Sequence, residues 1–290
     1  MKALKWIFCI SLISFLSACS DANDETNSTS EANLIIQLKF DPTQERLGNL
    51  GQPVSVAEGN AAQSPSISRM SANYIEFAPN TYTALGAGEV VFAGEETTSG
   101  GANAIDFQNA IFAGNNETFL TIPLSDVRAG SYEWVRVSLA YQEGEIDFLA
   151  ENGNVYTGTL ASFVGYNNYI TTLDLNGSTI AVNANKLQGF WAFETLGYTA
   201  QGQAPEGATT VPNPLFDSSP IPQGSCVVTG AFENGFTISG EETEDVVVTL
   251  SFSTNNSFEW TEVNADGMYE PSAGEQVVDM GLRGLIPFVN

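Results

Sequence analysis

The fold class of this chain is decided by the stretch Tyr132-Glu133-Trp134-Val135-Arg136-Val137-Ser138-Leu139-Ala140-Tyr141, in which apolar side chains recur at every second position. Successive side chains of a β-strand point to opposite faces, so the apolar residues at 135, 137, 139 and 141 share one face, which we expect to lie in a core. The other face combines aromatic rings with a cation, and it either lies under a second sheet or faces a ligand. The stretch therefore predicts a strand of a layered β-protein.

Similar short apolar runs recur along the chain, separated by clusters of Gly, Asn, Pro and Asp. Runs bounded by such turn residues are typical of sandwiches and barrels. We therefore expect an all-β fold: a β-sandwich of Greek-key type with long loops, with or without a second, smaller β unit after about residue 198. The predicted strands cover residues 34–40, 73–79, 88–93, 117–122, 131–142, 145–149, 155–164, 168–174, 178–183, 188–195, 225–230, 245–254, 257–263 and 276–282.

One pair of these strands predicts a hairpin. Val246, Val248, Leu250 and Phe252 alternate along the first strand, and the second strand begins at Phe258. The four residues 254–257 between them include two asparagines, which tolerate the positive φ angles of tight turns.

Two long loops divide the folded region, which we expect to span residues 34–290. Residues 41–72 show no sustained periodicity, and residues 198–223 contain five prolines, which lock the backbone into extended paths. The segment 198–223 is the predicted place for a division of the domain.

The N-terminus has the features of an export signal. Lys2 and Lys5 precede an apolar run too short to span a bilayer, which takes about 20 residues. The following stretch Leu16-Ser17-Ala18-Cys19 resembles the lipobox of bacterial lipoproteins. The resemblance implies that the signal peptide 1–18 is removed and that acyl chains on Cys19 anchor the protein in a membrane. An ordinary secretory signal is the alternative.

Residues 19–33 are polar and acidic and lack bulky apolar side chains, so we expect a flexible tether. This acidic patch behind Cys19 resembles the export signal of Bacteroidota-type surface lipoproteins. The resemblance implies a lipid-anchored protein of the outer membrane, displayed on the cell surface; the periplasmic face of that membrane is the alternative.

Composition excludes several classes of function. The chain has 34 acidic and 9 basic residues, a net charge of −25, so it lacks the basic surface that nucleic-acid binding requires. It contains no histidine, which rules out Ser-His-Asp and Cys-His catalysis and His-based zinc or copper sites. With Cys9 in the signal and Cys19 carrying lipid, Cys226 is expected to be a small buried hydrophobe.

Residues 262–275 place oxygen-bearing side chains at alternate positions, with Gly267 at the sixth. This spacing resembles the calcium loop of the EF-hand and dockerin type, in which alternate oxygens converge on the ion and glycine permits a sharp turn. The first position is Glu where Asp is usual, and Ala273 stands at the twelfth, where a bidentate Glu belongs. The flanking elements are predicted strands, so we expect a Ca²⁺ loop between strands; a plain Asp-Gly turn without an ion is the alternative. The resemblance implies these ligands: the side chains of Glu262, Asn264, Asp266 and Glu270, and the backbone oxygen of Met268. Glu275, two residues past the twelfth position, is the remaining candidate ligand.

Aromatic rings beside amides suit the faces of sugars. The candidate ligand-binding residues are Trp134, Tyr166 and Trp191, and glycan binding requires them to be exposed along one face; core or cross-strand packing is the alternative. The acidic residues of 143–151 could supply the carboxylate pair of a glycoside hydrolase, although so acidic a chain forms such pairs by chance.

We therefore expect a non-catalytic, membrane-anchored envelope lipoprotein, a binding or structural module with a calcium-stabilised loop. Its partner would be a glycan or an envelope protein. The first alternative is a carbohydrate-binding surface module, and the second is a carboxylate-based glycoside hydrolase.

Overall fold

The computed structural model describes residues 32–204 and 219–290, which consist almost entirely of β-strands. The short helical segments in this part are single 3-10 turns, at Phe107–Asn109, Leu124–Asp126 and Pro271–Ala273. The prediction of an all-β, sandwich-like fold is confirmed. The signal peptide 1–18, Cys19 and nearly all of the tether 19–33 lie outside the described residues, as do residues 205–218 of the predicted proline-rich loop.

Eighteen strands run through the described part of the chain. They are β1 (Asn33–Asp41), β2 (Asn60–Gln63), β3 (Ser66–Ala78), β4 (Glu89–Ala93), β5 (Glu96–Thr97), β6 (Ala104–Asp106), β7 (Glu117–Pro123), β8 (Gly130–Leu149), β9 (Val155–Phe163), β10 (Asn167–Leu175), β11 (Ser178–Leu187), β12 (Phe190–Thr195), β13 (Tyr198–Gln203), β14 (Cys226–Ile238), β15 (Val246–Ser253), β16 (Phe258–Thr261), β17 (Gln276–Met280) and β18 (Arg283–Val289).

The strands form four sheets, each named here after one of its strands. The β1 sheet has the order β18-β15-β1-β7, and the β10 sheet has the order β11-β10-β6-β5. The β8 sheet has the order β13-β12-β9-β8-β3-β4, with β14 also paired to β8, and the β16 sheet has the order β17-β16-β2. Strands that follow residue 219 pair with strands that precede residue 204, and the described residues belong to one compact unit.

The main core lies between the β1 sheet and the first half of β8. Leu34, Ile36 and Leu38 of β1 alternate with half-buried neighbours, and all three are fully buried. They pack in one cluster with Val135, Val137 and Leu139 of the opening stretch, whereas Tyr141 joins a second cluster. β1 and β15 pair in parallel within this sheet.

The part of the β8 sheet formed by β9, β12 and the end of β8 is covered on both faces, and it is called the covered half below. On β9, Ala161 and Phe163 join a core shared with the β10 sheet, whereas Leu160 joins a core shared with Phe258 of the β16 sheet. Neighbouring residues therefore point to opposite faces, as the period of two requires. This coverage explains why β9 is buried continuously from residue 158 to its end rather than alternately.

The opening stretch belongs to a strand longer than predicted. The sequence predicts two separate strands, at 131–142 and 145–149. In the structure β8 runs unbroken through both of them and through Gly144. A Cβ atom added at Gly144 would lie 2.7 Å from the backbone oxygen of Ser66 on the neighbouring β3. Glycine therefore permits a close approach of two strands here, and it does not end one.

The predicted hairpin between β15 and β16 is wrong, although its turn is present. Asn256 has the positive φ of 50° expected of a tight turn. However, β15 pairs with β1 and β18, whereas β16 pairs with β17 and β2. The turn passes the chain from the main core to the core of the β16 sheet, because each strand buries its apolar side chains in a different cluster.

Candidate functional site

A cavity of about 590 Å³ lies between the β16 sheet and the covered half of the β8 sheet. Its lining is mostly apolar and comes from two sides. The β8 sheet side contributes Ile146, Phe148, Leu160, Trp191, Phe193, Thr195, Ala200, Gln203 and the adjoining Ala204. The β16 sheet side contributes Phe258, Gln276, Val277 and Met280 from its strands and Tyr269, Pro271 and Glu275 from the loop before β17.

The alternation of β12 places Trp191 in the cavity. Phe190 and Ala192 point into the core beneath the β10 sheet, so Trp191 and Phe193 project from the other face. Gly202 is the partner of Trp191 on β13, and a Cβ atom there would lie 2.6 Å from the indole ring. The glycine therefore leaves room for the indole to lie across the neighbouring strand.

Tyr269 connects the loop 262–275 with both sheets. Its backbone oxygen accepts a hydrogen bond from the N–H of Leu149 at 2.8 Å, and its ring packs against Phe258 and Trp260 at centroid distances of 5.2 and 5.5 Å. Burial, and then the negative charge of Glu275, raise the pKa of the Tyr269 hydroxyl. The hydroxyl consequently stays protonated at neutral pH.

Glu275 lines the cavity from the loop before β17 and is only 3% exposed. One oxygen accepts the backbone N–H of Val263 at 3.1 Å, and the other accepts that of Glu270 at 2.6 Å. These bonds close the loop 262–275 at its base. Among the side chains that the structure describes, no lysine or arginine forms an ion pair with Glu275.

Among the described residues, three neutral polar side chains line the cavity, and each of them donates to a backbone oxygen. Thr195 donates to Thr157 at 3.1 Å, Gln203 donates to Gln188 at 2.6 Å, and Gln276 donates to Gly274 at 3.1 Å. Each side-chain oxygen retains lone pairs that can accept a further hydrogen bond. Each of the two glutamine amides also keeps one N–H donor, so these side chains can both accept and donate, with acceptor oxygens in excess.

The predicted calcium ligands hold the loop together by hydrogen bonds. Glu262 accepts the N–H groups of Asp266 and Gly267, Asp266 accepts that of Met268, and the Asn264 amide donates to Glu270. Within residues 32–204 and 219–290, no three His, Cys, Asp or Glu side chains converge as metal ligands would. Ca²⁺ binding at the loop 262–275 stays a prediction.

The three predicted aromatic ligands lie in different parts of the fold. Trp191 lines the cavity, and neither Trp134 nor Tyr166 does. Trp134 is half-buried on β8, between Ala78 of β3 and Ala231 of β14. Tyr166 lies in the turn between β9 and β10, where its hydroxyl donates to Glu96. The structure thus brings Trp191 together with Glu275, and it does not bring the three aromatic residues together.

Two of the acidic residues of 143–151 engage neighbouring side chains. Glu143 accepts hydrogen bonds from Arg69 and Tyr141, and Asp147 accepts one from Thr157. Both residues lie on β8, and neither lines the cavity.

Sequence reasoning missed a buried ion pair that supports the cavity wall. Glu259 of β16 and Arg46 are 4% and 6% exposed, and the guanidinium bonds the carboxylate directly. Glu259 also accepts from the Asn60 amide at 2.6 Å and from the backbone N–H of Ala57 at 3.2 Å. Burial opposes ionisation, but the hydrogen bonds from Asn60 and Arg46 outweigh it and lower the pKa of Glu259.

Comparisons of the chain with protein-family models, curated proteins and solved structures found no match. Within the described residues, no helix is both long and apolar enough to cross a lipid bilayer.

Proposed function

We propose that this chain is a non-catalytic, lipid-anchored envelope lipoprotein whose β-domain binds a small ligand in the cavity between the β8 and β16 sheets. The cavity carries the proposal. Its volume of about 590 Å³ falls within the roughly 300–1,000 Å³ of small-molecule sites. Like such sites, it has mainly apolar and aromatic walls with a few polar groups that can orient a ligand.

Binding is tested by titrating the full-length chain with the uncharged probe 4-phenylbutan-1-ol in a calorimeter. We expect saturable binding that Trp191→Leu weakens several-fold. Trp134→Leu is the matched control, because it removes a half-buried tryptophan that does not line the cavity. Equal loss in the two variants, or no binding by the unaltered chain, would contradict the proposal.

The lipid anchor rests on the lipobox resemblance of residues 16–19 and on the acidic segment that follows. The expected attachment is to the outer membrane through acylated Cys19, with the domain on the cell surface; the periplasmic face is the alternative. Cys19→Ser should release the protein from the membrane fraction, and unchanged membrane association would refute the anchor. Protease treatment of intact cells separates the two faces, because only a surface domain is digested.

A glycan ligand is the second candidate, and the observation that favours it is Trp191 in a cavity with the amide side chains of Gln203 and Gln276. Aromatic faces and amides together suit sugars. Binding of the purified chain to an array of bacterial glycans, lost in Trp191→Leu and kept in Trp134→Leu, would support this candidate.

Calcium at the loop 262–275 is part of the same proposal, on the strength of its EF-hand-like spacing. The measurement is the melting temperature in millimolar calcium and in chelator, for the unaltered chain and for Asp266→Asn. A rise in calcium that the variant abolishes would support the metal. Equal melting temperatures for the unaltered chain would remove calcium from the proposal.

A further inference from the structure

The charge and hydrogen-bonding pattern of the cavity lining restricts the chemistry of its ligand. The carboxylate of Glu275 has about four lone-pair sites, and backbone N–H groups occupy two of them. No described lysine or arginine is paired with it. Within the described part of the chain this nearly buried carboxylate has no cationic partner, and a protonated ligand would supply one.

The neutral polar groups of the lining add to the same preference. Thr195, Gln203 and Gln276 each spend a donor on a backbone oxygen, so their own oxygens can accept hydrogen bonds from a ligand. Each glutamine amide also keeps one N–H, so these side chains offer about three acceptor oxygens against about two donors, and a ligand with more donors than acceptors matches them better.

The aromatic walls fit a cation attached to an apolar body. Five aromatic rings from the described part of the chain line the cavity: Phe148, Trp191, Phe193, Phe258 and Tyr269. Ring faces attract cations, tryptophan most strongly, and they also bury apolar groups. The net charge of −25 on the whole chain raises the local concentration of cations further.

We propose that the cavity binds a small organic amine, with its protonated ammonium group at Glu275 and its apolar body against Trp191 and Phe193. The proposal deepens the proposed function, because it names the ligand class of the same cavity and rests on that cavity being a binding site. The ammonium donates three hydrogen bonds, which the carboxylate and the acceptor oxygens of the lining can take.

The test compares three probes of one skeleton: 4-phenylbutan-1-amine, 4-phenylbutan-1-ol and 4-phenylbutanoate. They share the phenyl ring and the alkyl chain and differ in charge. Each is titrated into the full-length chain, in the absence of detergent and with a chelator present so that calcium cannot occupy Glu275. We expect the amine to bind roughly tenfold more tightly than the alcohol, and the carboxylate most weakly.

The variants assign the preference to its residue. Glu275→Gln should bring the affinity for the amine down to that for the alcohol, whereas Glu145→Gln should leave both unchanged. Glu145 is exposed on β8 and does not line the cavity, so this control removes the same charge from elsewhere. If Glu275→Gln disturbs the loop, the comparison of the three probes on the unaltered chain still tests the preference for an amine.

The outcomes distinguish the proposal of an amine ligand from the proposal that the cavity binds a ligand at all. If the amine and the alcohol bind equally, or if the carboxylate binds best, the amine proposal is overturned and the binding cavity stands. If Glu145→Gln weakens amine binding as much as Glu275→Gln, the preference comes from overall charge and the proposed site is refuted. If no probe binds, the proposed function fails as well.

Discussion

Glu275 and Trp191 line one cavity although they are far apart in the sequence: Trp191 lies on β12 of the β8 sheet, and Glu275 lies in the loop before β17 of the β16 sheet. Trp191 projects from β12 because its neighbours are buried on the opposite face. Glu275 is held in place because its carboxylate accepts two backbone N–H groups of the loop before β17. The cavity therefore depends on the position of the β16 sheet over the β8 sheet.

The buried ion pair between Arg46 and Glu259 should contribute strongly to stability. Arg46→Ala would leave the carboxylate buried without its cation, which costs about 3–5 kcal/mol in the free energy of unfolding. Urea unfolding measures this loss. The control is Arg128→Ala, which breaks the exposed pair with Glu89 and should cost less than about 1 kcal/mol. Similar losses of unfolding free energy in both variants would show that burial does not increase the contribution of the pair between Arg46 and Glu259.

The pH dependence of stability should contain a contribution from Glu259. Because its pKa is lowered in the folded chain, its contribution is complete above the ordinary glutamate pKa and is lost as the pH falls through the lowered value. The free energy of unfolding should therefore fall on acidification, and it should fall less steeply in Glu259→Gln. Parallel profiles for the two chains would contradict the assignment.

Gly144 should be required inside β8. An alanine there would bring its Cβ to 2.7 Å from the Ser66 backbone oxygen, so we expect Gly144→Ala to lower the free energy of unfolding by about 1–3 kcal/mol. Gly130→Ala on the same strand is the control, since its Cβ would make an ordinary contact of 3.6 Å with Tyr132. Equal stability of the two variants would rule out the close approach of β3.

Gly202 should position Trp191 for binding. A Cβ atom at Gly202 would lie 2.6 Å from the indole, so Gly202→Ala should displace the ring. The affinity for 4-phenylbutan-1-ol is expected to fall several-fold, while the fold, followed by circular dichroism, is retained. Unchanged affinity would mean that the indole does not contact the ligand.

The sequence was sufficient for the fold class and for most strands, because alternation and turn residues are local signals. It wrongly predicted that a strand ends near Gly144, where the glycine permits a close contact with another strand rather than a turn. It also paired β15 with β16, since a good turn at Asn256 does not reveal that the two strands bury their side chains in different cores.

The candidate site was predictable only in part. Trp191 and Glu275 were both singled out, but for different chemistries, as a sugar-stacking ring and as a calcium ligand. Nothing local in the sequence joins them, because the cavity arises where two sheets meet. Arg46 and Glu259 were missed for the same reason: the pair forms across the fold, and neither residue stands in a recognisable motif.

The most direct test of a ligand-binding cavity is a crystal structure of the protein grown with 4-phenylbutan-1-amine. We predict electron density for the amine between the β8 and β16 sheets, with the ammonium nitrogen within hydrogen-bond distance of the Glu275 carboxylate and the phenyl ring against Trp191. An amine bound elsewhere, with the cavity left vacant or filled by the protein's own side chains, would contradict this account.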